Sequence, residues 1–189
     1  MSAVFTPMRH KLSVEDYHKL GEVGILSEDS RVELIEGELI EMAPIGGPHM
    51  ALVNRLTKLL VLAVGDLGVV SIQNPVALPP HSEPQPDVAI LKRGADSAAA
   101  SVVPGPDDVL LLIEVADTTL AYDRTTKLKL YAKAAIAEVW IVNVQSECVE
   151  VYREPTADRY ARKTELKRGD VVSALALPVV KITVAEIFG

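Results

Sequence analysis

VLLLIEVADTTLAYDRTTKLKLYAKA, residues 109–134, is the stretch on which the fold turns. Its first eight residues, VLLLIEVA, form an apolar run interrupted only by Glu114. Strands buried on both faces read this way, and they belong to sheets covered by helices on each side. The remainder is helical in period, begun by Thr or Asp. Lys127 shares a stripe with Leu120, Leu130, Tyr131 and Ala134, at offsets of −7, +3, +4 and +7, which turns it toward the sheet. Lys129 and Lys133 fall on other faces and read as solvated. An ionised carboxylate taken out of water costs several kcal/mol unless it is paired, liganded or neutralised. Glu114 therefore requires a partner.

Working outward, SVEDYHKL at 13–20 reads as a short helix with Ser13 as N-cap and Asp16 three residues on. RVELIEGELIEM at 31–42 places two strand-like arms around Glu36-Gly37, where glycine suits the positive φ of a tight hairpin. Pro48 can start a helix in which Met50, Val53, Leu56, Leu60 and Val64 recur near helical spacing, ended by Gly65 or Gly68. VVSIQNPVAL and PDVAILK read as strands joined through PPHSEPQP, and GADSAAASVVPGPDD as an exposed loop. EVWIVNV is the strand after the long helix, and CVEVYRE opens an antiparallel addition. The order is helix, three strands, helix, strand. This predicts an α/β (α+β) chain with a mixed central sheet flanked by helices, an N-terminal hairpin and a C-terminal antiparallel extension. With no repeat, low-complexity segment or clear linker, residues 1–189 read as one domain.

Composition narrows the function. Apolar residues make up 49% of the chain, enough for a sizeable core. No apolar stretch approaches a bilayer span and MSAVFTPMRHKL has no secretory pattern, so the expected location is the cytoplasm. The single cysteine, Cys148, reads as a small packing residue. A net charge of −7 and an aromatic share of 4% argue against a tight, non-specific nucleic-acid binder, but not against an enzyme with a local basic groove.

A second carboxylate stands at the start of PDVAILK. If that strand lies beside VLLLIEVA, Asp87 and Glu114 converge near one edge of the sheet. Two carboxylates in a poorly hydrated site repel unless a cation or a proton joins them. Oxygen ligands without thiols favour Mg2+ or Mn2+ over zinc. Such an ion polarises a phosphoryl group and activates water, with Lys127 placed to stabilise charge developing on phosphate.

The Pro86-Asp87 pair, the strand LLIEV and TTLAYDRTTKLKLYAKAAIAEVWIVNV together resemble the Uma-type family of restriction endonucleases, within the PD-(D/E)XK nuclease superfamily. The resemblance runs from about RVELIEGELI to EVWIVNV. It implies a restriction endonuclease-like αβββαβ core and Mg2+-dependent hydrolysis of phosphodiesters in nucleic acid, DNA first. Asp87 and Glu114 match the metal-binding acidic positions. The lysine expected two residues after Glu114 is absent, since Ala116 stands there, and Lys127 occupies the place to which this family moves it. The pattern also includes Glu33, the hairpin Gly37 and His49. Ala135, Ala137 and Asn143 depart from it where Gly, Pro and Asp are expected.

Structural alternatives stay open for each residue. Asp87 and Glu114 also read as strand-end carboxylates capping backbone, and Lys127 as an ion-pair partner of Asp123 or Glu114. Glu33 also reads as the polar side of a strand, and His49 as a first-turn helix residue. Two further functions remain: a nuclease-derived module without turnover that binds or regulates, and a structural oligomer, a homodimer included, joined through SALALPVVKITVAEIF.

Overall fold

A six-stranded mixed sheet with helices on its two faces organises the larger part of this computed structural model, which describes residues 9–27, 29–42, 44–95 and 103–189. These residues gather into two compact units, Met1–Ala43 with Ala77–Pro84, and Pro44–Val76 with Gln85–Gly189.

The smaller unit holds α1 (Val14–Glu22), β1 (Val32–Ile35) and β2 (Glu38–Glu41). Ser13 and Asp16 form the expected reciprocal cap: the Ser13 hydroxyl accepts from the Asp16 amide at 3.1 Å, and the Asp16 carboxylate accepts from the Ser13 amide at 3.0 Å. The hairpin pairs Val32 with Glu41 through Ile35 with Glu38, and its turn residues Glu36 and Gly37 have φ of 49° and 86°. Glycine is required at the second position for a further reason, because a Cβ there would lie 2.6 Å from that of Lys11.

In the larger unit α2 (Gly47–Val64) leads into β3 (Val69–Ile72), β4 (Val88–Leu91) and β5 (Val109–Ala116). A helical crossover then returns the chain to β6 (Glu138–Asn143), which lies parallel to β5. β7 (Cys148–Pro155) and β8 (Tyr160–Leu166) extend the sheet antiparallel, giving the order β3-β4-β5-β6-β7-β8. The predicted αβββαβ succession is therefore present, with its antiparallel extension. β5 is buried along nearly its whole length, as its apolar run requires.

One face of the sheet packs against α2, the short β9 (Val171–Ser173) and β10 (Lys181–Thr183), and α5 (Val184–Phe188). Leu52, Val53, Leu56, Leu60 and Val64 enter this core from α2. Met50 does not. It is 54% exposed, because the inward position one turn before Val53 falls to His49. Gly65 caps the helix, as its place in the sequence suggests.

The C-terminal segment contributes to the same core. Ala174, Val180, Ile182, Val184 and Ile187 of this segment, with Val172 just before it, are buried in the core shared with α2, while Leu175 and Val179 are exposed. Part of the predicted 94–108 loop, residues 96–102, lies outside the described residues. Among the described residues no helix is long and apolar enough to cross a membrane.

The crossover departs most from the sequence reading. In place of one regular helix it consists of α3 (Leu120–Tyr122), a π-turn (Asp123–Lys127) and α4 (Leu128–Lys133). The amide of Leu128 reaches back to the carbonyl of Asp123, five residues earlier, so one extra residue is looped into the helix.

Candidate active site

The β4–β5 ladder sets the first two residues. Val88 stands opposite Ile113, and one step outward along this antiparallel register are Asp87 and Glu114. Asp87 precedes the strand and its backbone remains in the ladder, its carbonyl accepting from the Gln73 amide at 3.1 Å. Its carboxylate Oδ2 accepts from the Val115 amide at 2.8 Å. The strand-capping role considered for Asp87 is thus present in the structure.

His49, in the first turn of α2, brings Nε2 to 3.0 Å from Asp87 Oδ1, and both side chains are largely buried. The hydrogen bond to Asp87 raises the imidazole pKa against the opposing effect of burial, and the negative charges of Asp87, Asp117 and Asp123 raise it further. The other ring nitrogen, Nδ1, is buried and has no hydrogen-bond partner among the described residues.

Glu114 finds its partners on the crossover. Its Oε1 lies 3.2 Å from Lys127 Nζ and accepts a hydrogen bond of 2.5 Å from the Tyr131 hydroxyl. Both charged side chains are over nine-tenths buried. The π-turn places them there. It turns Asp123 and Lys127 inward while Arg124, between them, faces β7 and pairs with Glu150. Asp123 is buried and accepts from the Thr119 hydroxyl at 2.6 Å. Lys129 and Lys133 are exposed, as their helical positions require.

Asp117, just beyond the end of β5, accepts from Gln145 Nε2 at 2.7 Å. Its position three residues after Glu114 in a strand-end loop is the one signal of it in the sequence. Tyr131 belongs to the inward stripe, and its place four residues after Lys127 is the corresponding signal. Glu33 belongs to the smaller unit, where it is buried on β1 opposite Ile40.

Among the described residues three buried carboxylates, Glu83, Glu138 and Glu150, escape the sequence reading altogether. Glu138 accepts from Trp140 Nε1 at 3.0 Å, Arg153 Nε at 2.8 Å and the Leu175 amide at 2.6 Å. Glu150 is held by Arg124, by the Tyr152 hydroxyl at 2.6 Å and by Lys163 at 2.9 Å. Alternation along β7 hides Glu150, because a glutamate between apolar neighbours ordinarily marks a solvated face. Cys148, Glu150 and Glu165 bring potential metal-binding atoms within 4.8 Å of one another. Arg124 and Lys163 already neutralise Glu150 and the Tyr152 hydroxyl hydrogen-bonds it, so this group is an ion-pair network in character. Cys148 itself is buried, as a packing residue would be, and burial pushes its thiol pKa up.

By donor chemistry Asp87 and Glu114 suit a hard divalent cation. They offer carboxylate oxygens from positions one step beyond the paired Val88 and Ile113, beside an imidazole whose Nδ1 is uncommitted among the described residues.

The comparisons with known proteins came to the same region of fold space. The profile of the Uma2 family, described as "Putative restriction endonuclease", matches residues 14–185. A crystal structure of a protein from Anabaena variabilis ATCC 29413, described as a putative nuclease belonging to DUF820, superposes with a TM-score of 0.72. It covers 93% of this chain and 97% of its own at 14% identity, and so shows likeness of fold. No curated protein matches the chain.

Proposed function

This chain belongs to the Uma2 family, whose description is that of restriction endonucleases, and from that premise we propose that it is a divalent-metal-dependent nuclease acting on DNA. The observation that supports the reading is the placement of Asp87, Glu114 and Lys127 around the β4–β5 ladder. Asp87 and Glu114 each stand one step beyond the paired Val88 and Ile113, and a buried lysine delivered by the following helix stands 3.2 Å from Glu114. Asp87 and Glu114 would hold Mg2+ or Mn2+, which when bound polarises the phosphodiester and lowers the pKa of the attacking water.

The protein groups have separable tasks in this proposal. The Val115 amide fixes Asp87 Oδ2, and Oδ1, the oxygen that would face the ion, lies 3.0 Å from His49 Nε2. Lys127, shielded from water, supplies positive charge that gains strength in the low-dielectric site as charge develops on phosphate. His49 orients Asp87 through their 3.0 Å contact and can hold a proton at Nδ1. Glu33 enters as an accessory acidic residue on the family pattern alone. The whole of residues 1–189 is taken as one restriction endonuclease-like domain, working in the cytoplasm.

A second reading has one observation in its favour. Every carboxylate contact described above already has a protein donor, as in a binding module that keeps the fold and has lost turnover. Cleavage of plasmid, single-stranded DNA and RNA, with Mg2+, Mn2+ or chelator, separates the two. The nuclease reading expects metal-dependent cleavage that vanishes in Asp87→Ala and falls steeply in Lys127→Met, while Lys129→Met stays close to wild type. Metal-dependent cleavage surviving in Asp87→Ala sinks the site. Binding without cleavage under every condition favours the second reading.

A further inference from the structure

We propose that Tyr131 is a positioning residue for Glu114: its hydroxyl fixes the carboxylate in the orientation in which Glu114 serves the metal. The inference rests on the nuclease reading and deepens it. Tyr131 is fully buried on α4, four residues after Lys127, and the two side chains reach the same oxygen, Oε1, of Glu114.

Their contributions differ in kind. Lys127 brings a charge on a flexible stem with three rotatable donors, so it compensates the Glu114 charge without selecting one carboxylate plane. Tyr131 brings a single O–H on a rigid ring packed in the interior. Its 2.5 Å hydrogen bond is directional and leaves the negative charge on Glu114 in place. Glutamate has three side-chain torsions, and in β5 apolar neighbours flank it on either side in sequence. A directional donor on one oxygen removes the freedom those torsions would otherwise allow. Groups that orient a metal-binding side chain in this way tune affinity without touching the ion.

The α4 helix makes the geometry possible. Lys127 and Tyr131 are separated by one helical turn, so a single helix face carries the charge-compensating and the orienting donor together. The π-turn just before α4 sets the rotation of that face toward β5.

The test is a double-mutant cycle on the full chain, with Mn2+ binding measured by isothermal titration calorimetry in wild type, Tyr131→Phe, Glu114→Gln and the double variant. Phenylalanine keeps the buried ring and Lys127 keeps the carboxylate paired, so Tyr131→Phe retains the fold, checked by circular dichroism. Tyr131→Phe is expected to weaken Mn2+ binding roughly tenfold or more. It should cause no further loss in the Glu114→Gln background, because its effect travels through that carboxylate. Cleavage should lose kcat with little change in KM. Wild-type Mn2+ affinity in Tyr131→Phe, or an equal loss in both backgrounds, overturns the role of Tyr131 alone. A wild type that takes up no Mn2+ overturns the metal reading itself, and the role of Tyr131 with it.

Discussion

Ala135 has a backbone φ of 58°, in the left-handed region, where the chain leaves α4 for β6. An L-residue with a Cβ pays roughly 1–2 kcal/mol for this conformation, whereas glycine adopts it freely at a smaller entropic cost in the unfolded chain. The resemblance drawn from the sequence implies glycine at this position, and the positive φ supplies a physical reason for it. Ala135→Gly should therefore raise the free energy of unfolding by about 0.5–1 kcal/mol, read from urea denaturation. A loss of stability would show that local packing of the methyl outweighs the strain.

Glu150 makes a second prediction at the residue scale. Burial alone would push its carboxyl pKa up, but Arg124, Tyr152 and Lys163 together overcome this and hold it at about 2. A folded-state pKa below the unfolded value means that the stabilisation is complete above the unfolded pKa. It is lost as pH falls from about 4.5 toward 2. Glu150→Gln should be less stable than wild type at neutral pH and should show a shallower decline over that acid window. Parallel declines in the two proteins would remove Glu150 from the account of acid sensitivity.

At the scale of elements the π-turn is the decisive feature. It turns Lys127 toward Glu114 and Arg124 toward Glu150 within five residues, a division that regular 3.6-residue spacing does not produce. Thr125 inside the turn is exposed, and its hydroxyl donates only to the Ala121 carbonyl of the same helix, at 2.7 Å. Deleting Thr125 lets α-helical bonding run through and rotates one side of the crossover by about 100° relative to the other. Helix content should survive, as judged by circular dichroism, while cleavage falls by about a hundredfold through mispositioning of the site. A deletion variant with wild-type activity would show that the extra residue has no part in aiming Lys127.

At the scale of the larger unit the closing segment decides stability. Val172, Val180, Ile182, Val184 and Ile187 join α2 in one core. Each fully buried aliphatic side chain contributes about 1.5–3 kcal/mol, and their sum is comparable with the whole stability of an ordinary domain, about 5–15 kcal/mol. A chain ending at Asp170 should therefore lose its cooperative thermal transition. A transition kept at the wild-type temperature would show that the segment is an appendage.

Local chemistry made much of this protein legible in its sequence. The apolar run of β5, the Ser13 cap, the Glu36-Gly37 turn and the helix-strand order depend on spacing and turn geometry within a few residues, and each recurs in the structure. The pairing of Glu114 with Lys127 could be anticipated because helical period set one face and burial demanded a partner. Only the tertiary structure decided that Tyr131 shares that carboxylate, that a π-turn interrupts the helix, that His49 rather than Met50 turns inward, and that Arg124 and Lys163 converge on Glu150. These are contacts between residues far apart in the chain, or departures from regular helical spacing, and both are set by how the packed elements meet rather than by the period of any one of them.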